Sequence, residues 1–229
     1  CPSSFPRRSI SMSGTDARGY WERNASRYDA SARLIGRPLP RMLELVSGAV
    51  DVADRVLEVA AGTGIVTIAI AGRAKEVVAT DYAAAMVEML ERRVRSEGLE
   101  NVRCEQADLY SLPFDEASFD AVVAANVLHL VPDLPGSLAA LRRVLRPGGR
   151  LIVPTFLHDE TAVSWLVSRV LALTGFPGER RFTSRSLREA LESARLRIDR
   201  FEILPGPIPI GYAEGVFDGG KCRTKGKGG

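Results

Sequence analysis

Val56-Leu57-Glu58-Val59-Ala60-Ala61-Gly62-Thr63-Gly64 runs from a short apolar stretch into a turn with two glycines. Residues 56–60 have the length and apolar character of a strand buried on both faces, and the glycines allow the chain to turn tightly at its end. The apolar segment after Gly64 stops near Gly72 at helical length, so the unit reads as strand, turn and helix.

The same unit recurs downstream. Residues 77–80 form a second strand, after which Met86, Met89, Leu90 and Val94 recur at helical spacing before Gly98. Residues 102–106 and 119–124 are two further strands. The helix after them carries Leu138, Leu141 and Leu145 and is expected to end at Pro147-Gly148-Gly149, with residues 150–155 as a fifth strand. Helical segments alternating with strands require a parallel sheet covered on both faces. Upstream, residues 16–28 and a stretch after Pro40 with Met42, Leu43, Leu45 and Val46 read as two helices. Downstream, residues 186–194 read as a helix. Residues 197–204 and 208–217, separated by Pro205-Gly206-Pro207, read as an antiparallel hairpin at the sheet edge. The expected fold is a Rossmann-like, doubly wound α/β domain with a mostly parallel seven-stranded sheet. It spans residues 12–218, with flanks at 1–11 and 219–229 read as flexible or artificial.

Composition narrows the function. The 229 residues suffice for one α/β domain, and 45% hydrophobic with 26% charged residues is ordinary for a globular protein. The formal charge of +3 includes six basic residues in the flanks, Arg7, Arg8, Lys221, Arg223, Lys225 and Lys227; without those six the body stands at −3. A nucleic-acid partner is therefore not expected. Cys1, Cys104 and Cys222 have no zinc-like spacing, so no metal is expected and a reduced, cytoplasmic setting is. No apolar run reaches the roughly 18 residues of a membrane span.

Gly62 and Gly64 close the first strand at its carboxyl end, where open parallel sheets place their ligand crevice. Asp81 ends the second strand 19 residues beyond Gly62, the usual place for a carboxylate that accepts from both hydroxyls of a ribose. A dinucleotide site would want a glycine three positions after Gly64, where Thr67 stands. With acidic Glu58 in the strand itself, the loop suits a nucleoside ligand that has a cationic amine and no pyrophosphate.

Residues 56–64 resemble the first motif of class I S-adenosylmethionine-dependent methyltransferases. Further stretches are similar in the family's order. They are Thr80-Asp81-Tyr82 with Met86, Ala107-Asp108-Leu109 before Leu112-Pro113-Phe114, Phe119-Asp120-Ala121-Val122-Val123, and Leu145-Arg146-Pro147-Gly148-Gly149. The resemblance covers residues 20–217, and Phe182-Thr183, Leu187 and Ala194 look like the small-molecule branch that includes the ubiquinone and menaquinone enzymes.

The resemblance implies S-adenosylmethionine as cofactor, S-adenosylhomocysteine as product and a small-molecule acceptor. By position it implies that Glu58, Ala60, Gly62 and Gly64 border the methionine part and that Asp81 holds the ribose. Tyr82 and Met86 would flank the adenine, and Asp108 would take its amino group beside Leu109. Ala125 and Asn126 would face the sulfonium end, although Asn126 could equally cap a helix. Tyr20, Trp21 and Tyr28 belong to a segment, about 16–48, that in similar proteins folds over the cofactor, or else pack helix to sheet. Ala60-Ala61 depart from the Gly-Cys or Gly-Ser of many relatives. Amino-methylating DNA enzymes carry an Asn- or Asp-Pro-Pro-Tyr motif after the fourth strand, and it is absent here.

Methyl transfer needs in-line placement and exclusion of water more than acid-base help. Where the acceptor carries a proton, His129 or His158, after the fourth and fifth strands, could take it. The apolar segment near 159–178 could roof the acceptor pocket, pair two copies or be buried; monomer and homodimer both stay open. Two other readings share the first motif: a nicotinamide-dependent oxidoreductase and a non-catalytic S-adenosylmethionine-binding module.

Overall fold

The structure, a computed structural model, describes residues 38–172 and 179–218 together with Gly19. Tyr20, Trp21 and Tyr28, the first helix expected before the sheet and both flanks lie outside the described residues.

Seven strands form one sheet: β1 (Arg55–Val59), β2 (Glu76–Asp81), β3 (Val102–Gln106), β4 (Phe119–Val123), β5 (Leu145–Phe156), β6 (Leu196–Leu204) and β7 (Ile210–Phe217). Their order is β3-β2-β1-β4-β5-β7-β6. The pairings among β1 to β5 are parallel, and β7 runs antiparallel to both neighbours. The strand order reverses between β1 and β4, which puts the ligand crevice at their carboxyl ends.

Alternation along the strands separates two cores. Leu57, Val59, Val122, Leu151 and Val153 face α4 (Leu134–Val144) and α6 (Ser184–Ser193). Val56, Val77, Val123 and Ile152 face α1 (Pro38–Gly48), α2 (Ile65–Ala71) and α3 (Ala84–Ser96). Each fully buried Leu, Ile or Val contributes roughly 1.5–3 kcal/mol. Helices therefore cover both faces, as the alternating pattern requires. Within α1, Met42, Leu45 and Val46 pack into the second core, and the buried Tyr212 hydroxyl, which donates to the Glu214 carboxylate at 2.5 Å, lies 3.3 Å from the Leu45 carbonyl.

The fifth strand differs from its expected form. α4 ends at Val144, Leu145 is already extended, and Pro147-Gly148-Gly149 lies inside β5 rather than at a helix end. Arg146 precedes a proline and so favours extended backbone. The pairing Phe119↔Leu145 jumps to Ala121↔Arg150, so the three residues form a bulge. A Cβ on Gly149 would stand 2.9 Å from the carbonyl oxygens of Arg146 and Asp120, which is why glycine occupies it. Asp120 ties this end together by accepting from the Arg55 backbone at 2.9 Å and pairing with Arg146.

A further helix, α5 (Ala162–Ala172), follows β5. Its polarity is inverted: Ser164 and Ser168, one turn apart, are buried, whereas Val163, Trp165, Leu166, Val167 and Val170 are exposed. No helix among the described residues is long and apolar enough to cross a membrane.

Candidate active site

After β1 the chain passes through three left-handed residues, Ala60 (φ 53°), Gly62 (φ 56°) and Gly64 (φ 87°). For Ala60 that conformation costs about 1 kcal/mol. At Gly64 there is no room either: an added Cβ would lie 2.5 Å from the Leu90 side chain of α3. The turn thus brings bare backbone to the mouth of the crevice.

Asp81, last in β2, holds that turn. Its Oδ2 accepts from the Gly62 N–H at 2.8 Å and its Oδ1 accepts from the Ala83 N–H at 2.9 Å. A carboxylate offers about four lone-pair sites, and one at this place in the sheet is of the kind that receives a ribose diol. Sequence spacing placed Asp81 beside the glycines but gave no sign that it also fastens them.

Glu58 points to the α2 side of β1, where Thr67 donates to its Oε2 at 2.6 Å. Burial pushes the Glu58 carboxyl up to about 8; the Thr67 hydrogen bond opposes the shift and the Asp81 charge adds to it. Thr67, which stands where a dinucleotide site wants glycine, here satisfies a buried acid.

The raised Glu58 value has a stability consequence. In the unfolded chain this carboxyl titrates near 4.5, so from there to about 8 the folded state binds more protons and stability falls as pH rises. Histidines near 3 and 4, described below, act oppositely but only below 6.5. The window from 6.5 to 8 therefore isolates Glu58. Urea titrations across it should show the wild type losing about 1–2 kcal/mol and Glu58→Gln almost none. An equal loss in both proteins would assign the slope to another group.

The residues implied for the adenine end line up beyond β2 and β3. Tyr82 is half-buried and its carbonyl accepts from Gln106. Met86 is buried in a small cluster with Ala83, Ala85 and Met89. Asp108 begins the 3-10 turn Leu109–Ser111, accepting from the Tyr110 N–H at 2.9 Å, and Leu109 is half-buried beside it.

Beyond β4, Ala125 is half-buried and Asn126 is left-handed (φ 52°). The Asn126 N–H donates to Pro154 at 2.7 Å and its amide reaches Met42 Sδ at 3.9 Å. The buried Oδ1 has no hydrogen-bond partner among the described residues. Asn126 caps none of the described helices; the cap of α4 is Asp133, which accepts from Gly136 at 3.0 Å. An unused acceptor at the switch point, a backbone cradle and a ribose-type carboxylate together suit a nucleoside with a cationic centre.

His129 and His158 meet at the carboxyl ends of β4 and β5. Their ring centroids are 5.1 Å apart, and Phe156 stands edge-on to His129 at 5.6 Å. Burial drives His129 down to about 3, with His158 adding to it. His158 falls to about 4, through burial first and the Arg181 charge second, with Asp159 opposing. Both rings are neutral at physiological pH, and folding stability is lost as pH falls from 6.5 through these values. Among the described residues no cluster of His, Cys, Asp and Glu could hold a metal. Burial raises the Cys104 thiol to about 11, leaving a poor nucleophile. An apolar cavity of about 300 Å³ between α4 and α6, lined by Leu134, Leu138, Ala190, Ala194 and Phe217, contains none of the residues above.

Comparison with known proteins agrees with this geometry. Residues 57–153 match the family model described as a methyltransferase domain. A demethylmenaquinone methyltransferase of Thermus thermophilus is 38% identical over 151 residues, covering 64% of this chain and 68% of that protein. The chain spans about half the length of other curated relatives it matches, 41% to 56%. The crystal structure of a SAM-dependent methyltransferase from Aquifex aeolicus superposes with a TM-score of 0.67 at 21% identity, covering 89% of this chain and 100% of that one. Geranyl diphosphate methyltransferase, solved with geranyl diphosphate and sinefungin, gives 0.64 at 20% identity over 78% of this chain and 77% of that one. With these relationships and the motifs in their expected places, the chain belongs to the class I S-adenosylmethionine-dependent methyltransferases, in the small-molecule branch.

Proposed function

We propose that this chain moves a methyl group from S-adenosylmethionine to a small, apolar or aromatic acceptor by direct displacement. The observation that supports this most is that the cradle of Gly62, Gly64 and Asp81 and the uncharged cluster of Phe156, His129 and His158 stand at the carboxyl ends of neighbouring strands of one sheet. The cofactor supplies an electrophilic methyl on a sulfonium. Asp81 would fix the ribose, Asp108 and Leu109 the adenine, and Asn126 Oδ1 would face the cationic end. Two neutral imidazoles and a phenyl ring exclude water without placing a positive charge beside the sulfonium. Positioning of this kind can supply a large share of the rate.

The named relatives act on a demethylmenaquinone and a prenyl diphosphate, both with long apolar parts. By analogy the acceptor is hydrophobic. The body charge, the absence of zinc-like spacing among the three cysteines and these relatives support a cytoplasmic enzyme working without nucleic acid or metal, as a monomer or homodimer.

Incubating the protein with S-adenosylmethionine and a panel of phenols, hydroquinones and prenyl-chain alcohols tests this. Mass spectrometry should show a product heavier by one methylene, formed in step with S-adenosylhomocysteine. Cofactor binding with no product from any acceptor would favour a non-catalytic module. Binding of NAD in place of S-adenosylmethionine would point to an oxidoreductase.

A further inference from the structure

We propose that Ser168 is a positioning residue that holds His158 in one tautomer, so that His158 and not His129 takes a proton from the methyl acceptor. The inference rests on the methyltransferase reading above and adds that the acceptor carries a removable proton.

The inverted polarity of α5 is the starting point. A surface helix normally turns its apolar side chains inward. Here Val163, Leu166 and Val170 face out and the inward positions are serines, an arrangement that forfeits apolar burial. Each serine has a specific task. Ser164 exchanges hydrogen bonds with Thr161 and closes the first turn of the helix. Ser168 reaches the end of β5, where its Oγ lies 2.8 Å from His158 Nδ1.

The proton inventory then selects the tautomer. A serine hydroxyl can donate or accept, and at 2.8 Å the Ser168 Oγ can serve Nδ1 in either role. A hydrogen on Nδ1 is accepted by Oγ, whereas a hydrogen on Nε2 would be a buried donor with no partner among the described residues, the costlier arrangement, so the hydrogen is assigned to Nδ1. The opposite nitrogen, Nε2, is then a bare lone pair. It is buried and has no partner among the described residues, in a side chain only 5% exposed. An imidazole oriented through Nδ1 and open at Nε2 is the arrangement of a general base.

The surroundings agree. The groups facing His158 are His129 at 5.1 Å, Phe156 at 6.0 Å, and Asp159 and Arg181, which pair with each other at 2.6 Å. Among the described residues nothing charged and unpaired competes for Nε2. As the methyl group forms its bond to the acceptor atom and the carbon–sulfur bond breaks, the proton on that atom passes to Nε2. S-adenosylhomocysteine leaves neutral at sulfur, and His158, a weak base when buried, returns the proton to solvent.

The chain has two histidines, so the tautomers can be read without any acceptor. Long-range proton–nitrogen correlation spectra of the full-length protein, labelled with ¹⁵N-histidine and assigned with His129→Asn, should show His158 as a single species protonated at Nδ1 at pH 7. Ser168→Ala should give a mixture of the two tautomers, and Ser168→Thr should restore the single one. A wild-type His158 protonated at Nε2, or a tautomer unmoved by Ser168→Ala, would overturn the proposal. Titrating the same samples with S-adenosylhomocysteine separates the two readings. Absence of binding by the wild type would count against the methyltransferase assignment and leave the tautomer result standing on its own.

Discussion

Asp81→Ala should weaken S-adenosylmethionine binding by about 100-fold or more, the largest functional loss expected from any single substitution here. Two losses combine. The variant removes the acceptors proposed for both ribose hydroxyls, and hydrogen bonds to a charged group contribute about 1.5–3 kcal/mol each. At 1.4 kcal/mol per factor of ten, two such bonds exceed a hundredfold. The variant also frees the Gly62 and Ala83 N–H groups that Asp81 now holds at 2.8 and 2.9 Å, so the turn loses its anchor. Asp81→Asn should be nearly as damaging. An amide has one oxygen for two backbone donors and sets its NH₂ against the other. Calorimetric titration reads the effect, and affinity within a factor of five of wild type would remove Asp81 from the site.

Gly64→Ala should be the most costly single-methyl addition, destabilising the fold by about 3 kcal/mol. Holding a side chain at φ +87° costs roughly 1–2 kcal/mol, and forcing a methyl into a packed core a further 1–3. The atom in the way, Leu90 Cδ1 at 2.5 Å, belongs to a fully buried side chain in the α2–α3 core and has little room to yield. In a domain of this size the midpoint temperature should drop by roughly 6–12 °C. Gly72→Ala is the control: its φ is −67° and nothing lies within 4 Å of the added carbon, so it should be neutral or slightly stabilising. Equal effects from the two variants would mean that the left-handed turn is not as described.

The contrast between these glycines shows what the sequence made legible. Gly62 and Gly64 announced a turn after an apolar strand, and the spacing to Asp81 announced a carboxylate at the end of the next strand, beside that turn. Both follow from chain geometry, because a strand, a turn and a crossover helix return the next strand beside the first. Pro147-Gly148-Gly149 was less legible, since proline and glycine interrupt helices and strands alike. Only the pairing of β5 with β4 shows that this trio bulges a strand. Asn126 could be read as a cap or a ligand-facing amide until Asp133 was seen capping the helix.

Local pattern carried even less about α5. The segment near 159–178 read as apolar, and nothing in the residue order said that Ser164 and Ser168 would be the side turned inward. That choice is made by the end of β5, where His158 offers a nitrogen and Ser168 meets it from a different element. Contacts between groups ten residues apart across a strand end have no periodic signature. The link between Asp81 and Gly62 was hidden for the same reason: each residue was legible, but the bond between them was not.

Where the cofactor sits is measured most directly by a crystal structure of the complex with S-adenosylhomocysteine. The expected result is density along residues 60–64, with the ribose hydroxyls on Asp81, the adenine between Met86 and Leu109 near Asp108, and the sulfur within reach of Asn126. Density in the cavity between α4 and α6, or a ribose making no contact with Asp81, would contradict the site described here.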